Sequence, residues 1–400
     1  MNERKYVSAE RSFDSRYLLK TDISRYYPTI YSHVIPWALH GKQFAKSQIN
    51  NGALLGNILD RCIRNTQDGQ TLGIPIGPDT SHIIAEIIGS AIDCELKNKL
   101  DSSLSGWRYI DDFQLFFKTR GDAESALYTL HGILKDLELE IHPQKTEILE
   151  LPLPLEQSWV TELRSFKFRE SEKGQKGDII NYFSKAFSFS NEYPDDSVLK
   201  YAIIRTHQEL IHPKNWSLYE SLLLKSIIAE PLCIPIVNKI LHHWEYNGYN
   251  INKANIGSVI SDLICFHSKF AHSYEISWAL WLAKTLQIPI DTPAHTAISN
   301  SEDPIVALIS LDLRDEGLIP QDLDTTKWEF YMRSSELYET HWLLAYEAII
   351  KNWLPSIDGT DYIAKDPFFS ILQNENVQFY DKTIHEIDYA GQLPEIEVSY

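Results

Sequence analysis

The chain is short of cysteine, of long apolar runs and of basic charge. Its four cysteines, Cys62, Cys94, Cys233 and Cys265, follow no metal-ligand spacing. They read as reduced thiols of a cytoplasmic protein rather than a disulfide framework or a zinc module. No run of 18 apolar residues occurs and no signal-peptide pattern opens the sequence, so no membrane contact is expected. Lys and Arg number 37 against 55 Asp and Glu, a net charge of −18, which excludes a surface that grips phosphates on all sides. The deficit is uneven. Residues 1–50 carry eight Lys/Arg against four Asp/Glu, whereas residues 291–400 carry six against 21. The acidic C-terminal part is therefore expected to contact protein, or to fold against a basic surface, rather than hold nucleic acid. With 400 residues, 44% hydrophobic and 23% charged, the chain is globular and long enough for two to three domains.

The most informative stretch is Trp107-Arg108-Tyr109-Ile110-Asp111-Asp112-Phe113-Gln114-Leu115-Phe116-Phe117. Two adjacent carboxylates sit between arms rich in strand-forming residues. Like charges next to apolar residues are costly to bury without a counter-ion, and a divalent cation is the direct compensation. Upstream, Leu18-Leu19-Lys20-Thr21-Asp22 reads as a strand ending in an aspartate, followed by Ile23-Ser24-Arg25-Tyr26-Tyr27. Between the two lies the loop Leu72-Gly73-Ile74-Pro75-Ile76-Gly77-Pro78, and downstream comes Leu139-Glu140-Ile141-His142-Pro143-Gln144-Lys145-Thr146.

Residues 1–150 mix strand and helix patterns, as an α+β unit would. Strands are expected at 17–23 and on both arms around Asp111. Helices are expected at 82–98, with Ile84, Ile87, Ile88 and Ala91 on one face and Asp79, Thr80 or Ser81 as cap, and at 122–138 through Ala126, Leu127, Leu130, Leu134 and Leu137. Residues 151–196 read as a connecting segment broken by Leu151-Pro152-Leu153-Pro154, with Lys173-Gly174-Gln175-Lys176-Gly177 as an exposed loop. Residues 197–400 read as an all-α domain. Helical patterns recur near 197–211, 217–230, 232–246, 253–269, 275–287, 302–313 and 328–353, with a capping box at Ser217-Leu218-Tyr219-Glu220. The succession suggests a helical-repeat, HEAT-like array without a strict period. Trp278, Trp281, Trp342 and Trp353 are expected to pack between helices rather than stack on bases. His207, His212, His242, His243 and His267 are scattered and are not expected to form a metal site.

Four motifs in this order resemble the palm of reverse transcriptases, over roughly residues 17–150. These are the aspartate strand, the Gly-Pro loop before a helix, the Tyr-x-Asp-Asp hairpin and the lysine-bearing turn. The resemblance implies a DNA polymerase using deoxynucleotides and nucleic acid, as RNA template or DNA product, with Mg²⁺ and possible use of Mn²⁺ as cofactor. Two ions about 3.5–4 Å apart would be held by Asp22, Asp111 and Asp112, with the Ile23 carbonyl able to add an oxygen. Tyr27 would select the sugar, the alternative being a core aromatic, and Tyr26 is structural. Gly73, Pro75, Ile76 and Gly77 would border the nascent base pair, with Tyr109 also in the nucleotide-binding set. Many family members carry glutamine where this chain has Ile76, which puts the usual nucleotide contact and ordinary templated synthesis in question. Lys145 would approach the triphosphate, the alternative being a solvent-exposed lysine.

A narrower resemblance runs through Asp22–His33, Ile35–Lys42, Ile76–His82 and Ala85-Glu86 to the bacterial abortive-infection, AbiK-like reverse transcriptases. It implies antiphage defence, a C-terminal helical-repeat domain, template-independent synthesis in some members and a homo-oligomer. Only about 20 residues precede Asp22, so the basic fingers region is expected to be truncated. A catalytically impaired palm acting as scaffold or sensor is the competing reading.

Overall fold

The computed structural model describes residues 2–100, 104–207 and 209–384, with side chains from Arg4 onward. The chain divides into two compact units, Met1–Ser158 and Trp159–Tyr400. No described helix is long and apolar enough to cross a membrane.

The first unit is an α+β fold around a four-stranded sheet. Its strands are β1 (Tyr17–Asp22), β2 (Ser105–Tyr109), β3 (Asp112–Phe117) and β4 (Glu147–Glu150), in the order β2-β3-β1-β4. All three pairings are antiparallel. Opposed residues of an antiparallel pair share a face, so the register sorts the side chains. Leu19 lies opposite Leu115, and both join a core with Ile84, Ile88, Ile92, Leu130 and Leu134 from the Asp79–Lys99 and Arg120–Asp136 helices. Asp22 lies opposite Asp112, which also faces Tyr109. These three therefore occupy the sheet face away from that core.

Two helical details differ from expectation. The Asp79–Lys99 helix is capped by Pro78 without a side-chain bond, leaving Asp79, Thr80 and Ser81 in its first turn. Its fully buried stripe runs through Ser81, Ile84, Ala85, Ile88, Ile92 and Leu96, with Ile87 and Ala91 only half-buried. The Arg120–Asp136 helix is capped by Thr119, whose hydroxyl accepts from the Asp122 N–H at 3.2 Å.

Every regular element described after residue 158 is helical. Of the span expected to connect domains, residues 151–158 belong to the first unit and residues 159–196 to the second. Trp159, Leu163, Ile179, Tyr182 and Phe183 lie in its apolar core, and Glu172–Glu192 is one continuous helix. The glycine-containing run 173–177 is thus helical, not an exposed loop. Asp178 compensates for the poor helix propensity of two glycines. It accepts from the Arg169 backbone N–H at 2.9 Å and from its guanidinium at 2.6 and 2.9 Å, pinning the preceding loop onto the first turns. The anticipated capping box is also replaced: the Trp216–Ala229 helix follows Asn215, and Glu220 is buried, accepting from Trp216 Nε1 at 2.9 Å and the Asn252 N–H at 3.1 Å. The pattern at 328–353 breaks into Thr326–Glu329, a 3-10 turn at Ser334–Tyr338 and Trp342–Ile350. Trp353 is buried, and Trp278 and Trp342, both half-buried, pack against the core; Trp278 also lines an open apolar groove with Trp281, Tyr274 and Ile305. Position 208 of the 197–211 pattern and positions 385–400 of the expected C-terminal domain lie outside the described residues.

Along Trp216–Ile350 the helices pack alternately. Ile234–Tyr246, Ser273–Thr285, Pro304–Asp315 and Trp342–Ile350 contact in succession, and Trp216–Ala229, Lys253–His267 and Thr292–Ile298 form a second succession.

Candidate active site

The β2–β3 connection contains only Ile110 and Asp111, a two-residue hairpin turn. Ile110 adopts φ 56°, a left-handed conformation that is a true outlier for a β-branched residue. Its carbonyl is held by Arg108, whose Nη1 donates to it at 2.8 Å. Arg108 is sequestered on the core face of the hairpin, its side chain 6% exposed. Its guanidinium donates to Glu86 at 3.0 and 3.1 Å and to Asp93 at 3.0 Å. Gly89 makes the room, since a Cβ there would stand 2.5 Å from the Arg108 Cζ. The hydrogen bonds from Arg108 hold Glu86 below the ordinary carboxylate range. This clamp ties the strained turn to the Asp79–Lys99 helix.

On the opposite face the balance is different. Asp22, at the end of β1, is buried, and Asp111 and Asp112 are half-buried. Burial, then the charge of Asp22, pushes the Asp111 carboxyl above its ordinary value. The same two causes and a hydrogen bond with Asp22 raise Asp112. The backbone knits the trio together: the Ile23 N–H donates to the Asp111 carbonyl at 3.2 Å and the His142 N–H to the Asp22 carbonyl at 2.8 Å. Two cations face the group. Lys145, at the end of the Pro143–Lys145 turn, donates to Asp22 Oδ2 at 3.0 Å, and that bond raises its pKa although the side chain is 60% exposed. Arg4, from the Asn2–Arg11 helix, stands over the Tyr109 ring at 3.3 Å and, after Lys145, offsets part of the rise at Asp112. The Lys145 turn is fixed to β1 by the 2.7 Å contact of the Thr146 and Thr21 hydroxyls.

Tyr26 and Tyr27 differ in burial and in partner. Tyr26 is buried, its hydroxyl donating to the Ala85 carbonyl at 2.8 Å. Tyr27 is half-buried, its hydroxyl 3.3 Å from His82 Nδ1, and burial followed by the Asp111 charge raises its pKa. The glycine-proline loop docks on the same segment. The Ile74 N–H donates to the Tyr27 carbonyl at 3.0 Å and the Gly73 N–H to that of Ile30 at 2.8 Å. Gly73 has φ 84°, and a side chain there would press on the Pro28 carbonyl. Pro75, Ile76 and Gly77 are exposed where the Asp79–Lys99 helix begins, Ile76 by 74%, and none hydrogen-bonds to the carboxylates.

The structure thus brings Asp22, Asp111, Asp112, Lys145, Ile23 and Tyr27 together, with Tyr109 at the rim. Arg4, Glu86, Gly89, Asp93 and Arg108 were not singled out from sequence as site residues. One signal was available: Arg108 occupies an inward β position, where a charge requires partners, and positions 86, 89 and 93 fall on one helical stripe.

Residues 5–175 match the family model described as reverse transcriptase (RNA-dependent DNA polymerase). The chain carries a reverse transcriptase domain. That domain is a nucleotidyltransferase whose substrates are nucleotides and nucleic acid, and reverse transcriptases generally use divalent metals. A comparison with curated proteins gave no match. The donor set fits such a metal. Three carboxylates supply hard oxygen ligands, and repulsion among them is what a divalent ion would relieve.

Proposed function

We propose that the reverse transcriptase domain adds deoxynucleotides to a growing DNA strand, with Asp22, Asp111 and Asp112 holding two Mg²⁺ ions and the Ile23 carbonyl as a further oxygen. The observation that carries this reading is the register that sets Asp22 opposite Asp112 with Asp111 on the adjoining turn, on a sheet face with fewer cations than carboxylates. When bound, the ions would activate the attacking hydroxyl and neutralise the triphosphate. The protein's own groups do the rest. Lys145 exchanges its Asp22 partner for triphosphate oxygens, its long exposed side chain allowing the move. Tyr27 closes the space beneath the sugar and disfavours a 2′-hydroxyl. Gly73, Pro75, Ile76 and Gly77 border the nascent pair, with Ile76 giving apolar contact only, and Tyr109 flanks the strand end. The apolar Ile76 is as compatible with template-independent as with RNA-directed synthesis.

We infer from the motif resemblance to AbiK-like proteins a role in antiphage defence, as a cytoplasmic homo-oligomer. The alternating packing of helices across Trp216–Ile350 supports reading the second unit as a helical-repeat array.

Purified full-length protein incubated with labelled dNTPs and Mg²⁺ is expected to incorporate label, and Asp111→Asn with Asp112→Asn to abolish it. Equal labelling by the double variant would refute the site. No labelling by the wild type under Mg²⁺ or Mn²⁺ would favour the impaired-palm reading.

A further inference from the structure

The elbow between the Lys253–His267 and Ser273–Thr285 helices gathers three metal-type ligands from within nine positions of sequence. His267 is the last residue of the first helix, His272 is the N-cap of the second, and Glu275 lies in its first turn. The turn between them is tight: a 3-10 segment at Ser268–Phe270, then Ala271 at φ 54°. The tight turn brings the two imidazoles together. His267 Nδ1 and His272 Nδ1 stand 3.1 Å apart, and a Glu275 carboxylate oxygen lies within 4.8 Å of a ring nitrogen of each. Among the described residues this is the one group of three or more His, Cys, Asp or Glu ligand atoms gathered so closely.

The spacing is informative. Two imidazole nitrogens bound to zinc at about 2.0–2.1 Å with a tetrahedral angle are separated by about 3.3 Å, close to the 3.1 Å found. A plain N–H···N bond between neutral rings would account for the two histidines but gives Glu275 no part. Phe266 and Phe270 flank the imidazoles, with ring centroids 5.2 Å from His267 and 5.5 Å from His272, and shield one side. His267 is buried, Glu275 half-buried and His272 exposed, so the pocket opens on one side.

We propose that His267 Nδ1, His272 Nδ1 and a Glu275 carboxylate oxygen bind a zinc ion, with a fourth position open to water. The ion clamps the elbow and holds Ala271 in its left-handed conformation. The site takes a borderline transition metal through imidazole nitrogen, in contrast to the all-carboxylate set on the sheet, which suits Mg²⁺.

The test uses full-length protein, loaded with zinc and passed through a weak chelator. One zinc ion per chain is expected to remain in the wild type and in Asp111→Asn/Asp112→Asn. It should be lost in His272→Ala and in Glu275→Gln, while His131→Ala, an exposed histidine elsewhere in the sequence, should keep it. X-ray absorption of the zinc-loaded wild type should show two imidazole ligands with oxygen at about 2.0–2.2 Å, a readout independent of how the variants fold. No retained zinc, retention in either His272→Ala or Glu275→Gln, or a shell without imidazole would overturn the proposal.

Discussion

The two faces of the β2–β3 hairpin hold carboxylates in opposite ways. On the core face, Glu86 and Asp93 meet the guanidinium of Arg108 at 3.0–3.1 Å, and the pKa of Glu86 falls. On the other face, Asp22, Asp111 and Asp112 crowd one another, and the pKa values of Asp111 and Asp112 rise. A few residues of one hairpin thus carry a satisfied ionic network and an unsatisfied one. The satisfied network stiffens the turn. The unsatisfied one stores repulsion that a ligand can relieve, the usual mark of a working site.

The comparison can be broken from either side. The largest effect on the hairpin is expected from Arg108→Met, which strands two carboxylates and frees the Ile110 carbonyl. Arg108 is buried but Glu86 and Asp93 are 42% and 44% exposed and can be resolvated, so chemical denaturation of the variant should show a loss of about 1–3 kcal/mol, together with depressed incorporation. Unchanged stability and activity would mean the clamp does not hold the turn. Next comes Tyr27→Ala, which should raise the ratio of ribonucleotide to deoxynucleotide use, measured by competition, at a stability cost of at most about 3–5 kcal/mol. Tyr27→Phe should keep the wild-type ratio, because the ring rather than the hydroxyl fills the space. A parallel change in both variants would place the selectivity in the His82 contact instead.

The smallest effect concerns metal-free stability. A folded-state carboxylate pKa above the unfolded value means that the ionised group costs stability at higher pH. That cost shrinks as pH falls through the raised pKa and vanishes below the ordinary value near 3.8. Asp111→Asn should therefore melt higher than wild type in chelator at neutral pH, by a few degrees, since 1 kcal/mol corresponds to about 2–4 °C in a domain of 150–250 residues. The gap should narrow towards acid pH. A lower melting point at neutral pH would contradict the repulsion.

Much of this site could be read from the sequence because its chemistry is local. The Asp111-Asp112 pair between strand-forming arms predicts a hairpin, and Asp22 ends an apolar strand. The pairing of Asp22 with Asp112 was not legible, because register is a long-range property set by the packing of Leu19 and Leu115 against two helices. The inward β position of Arg108 signals that the charge needs partners, but which carboxylates, 15 and 22 positions away, meet it is again a matter of long-range packing. In the helical unit, periodicity located most helices. It misjudged residues 173–177, where glycines suggest a loop but Asp178 and Arg169 supply the missing stability. It also ran 328–353 together, where the apolar pattern continues through breaks at 330–333 and 339–341.

The central claim is that the carboxylate face of the hairpin is completed by a hard divalent cation. The direct measurement is the thermal midpoint of the full-length protein with increasing Mg²⁺, for wild type and for Asp111→Asn/Asp112→Asn. Mg²⁺ should raise the wild-type midpoint progressively, as a ligand of the folded state must, and leave the double variant unmoved. An equal rise in both, or none in the wild type, would contradict the account.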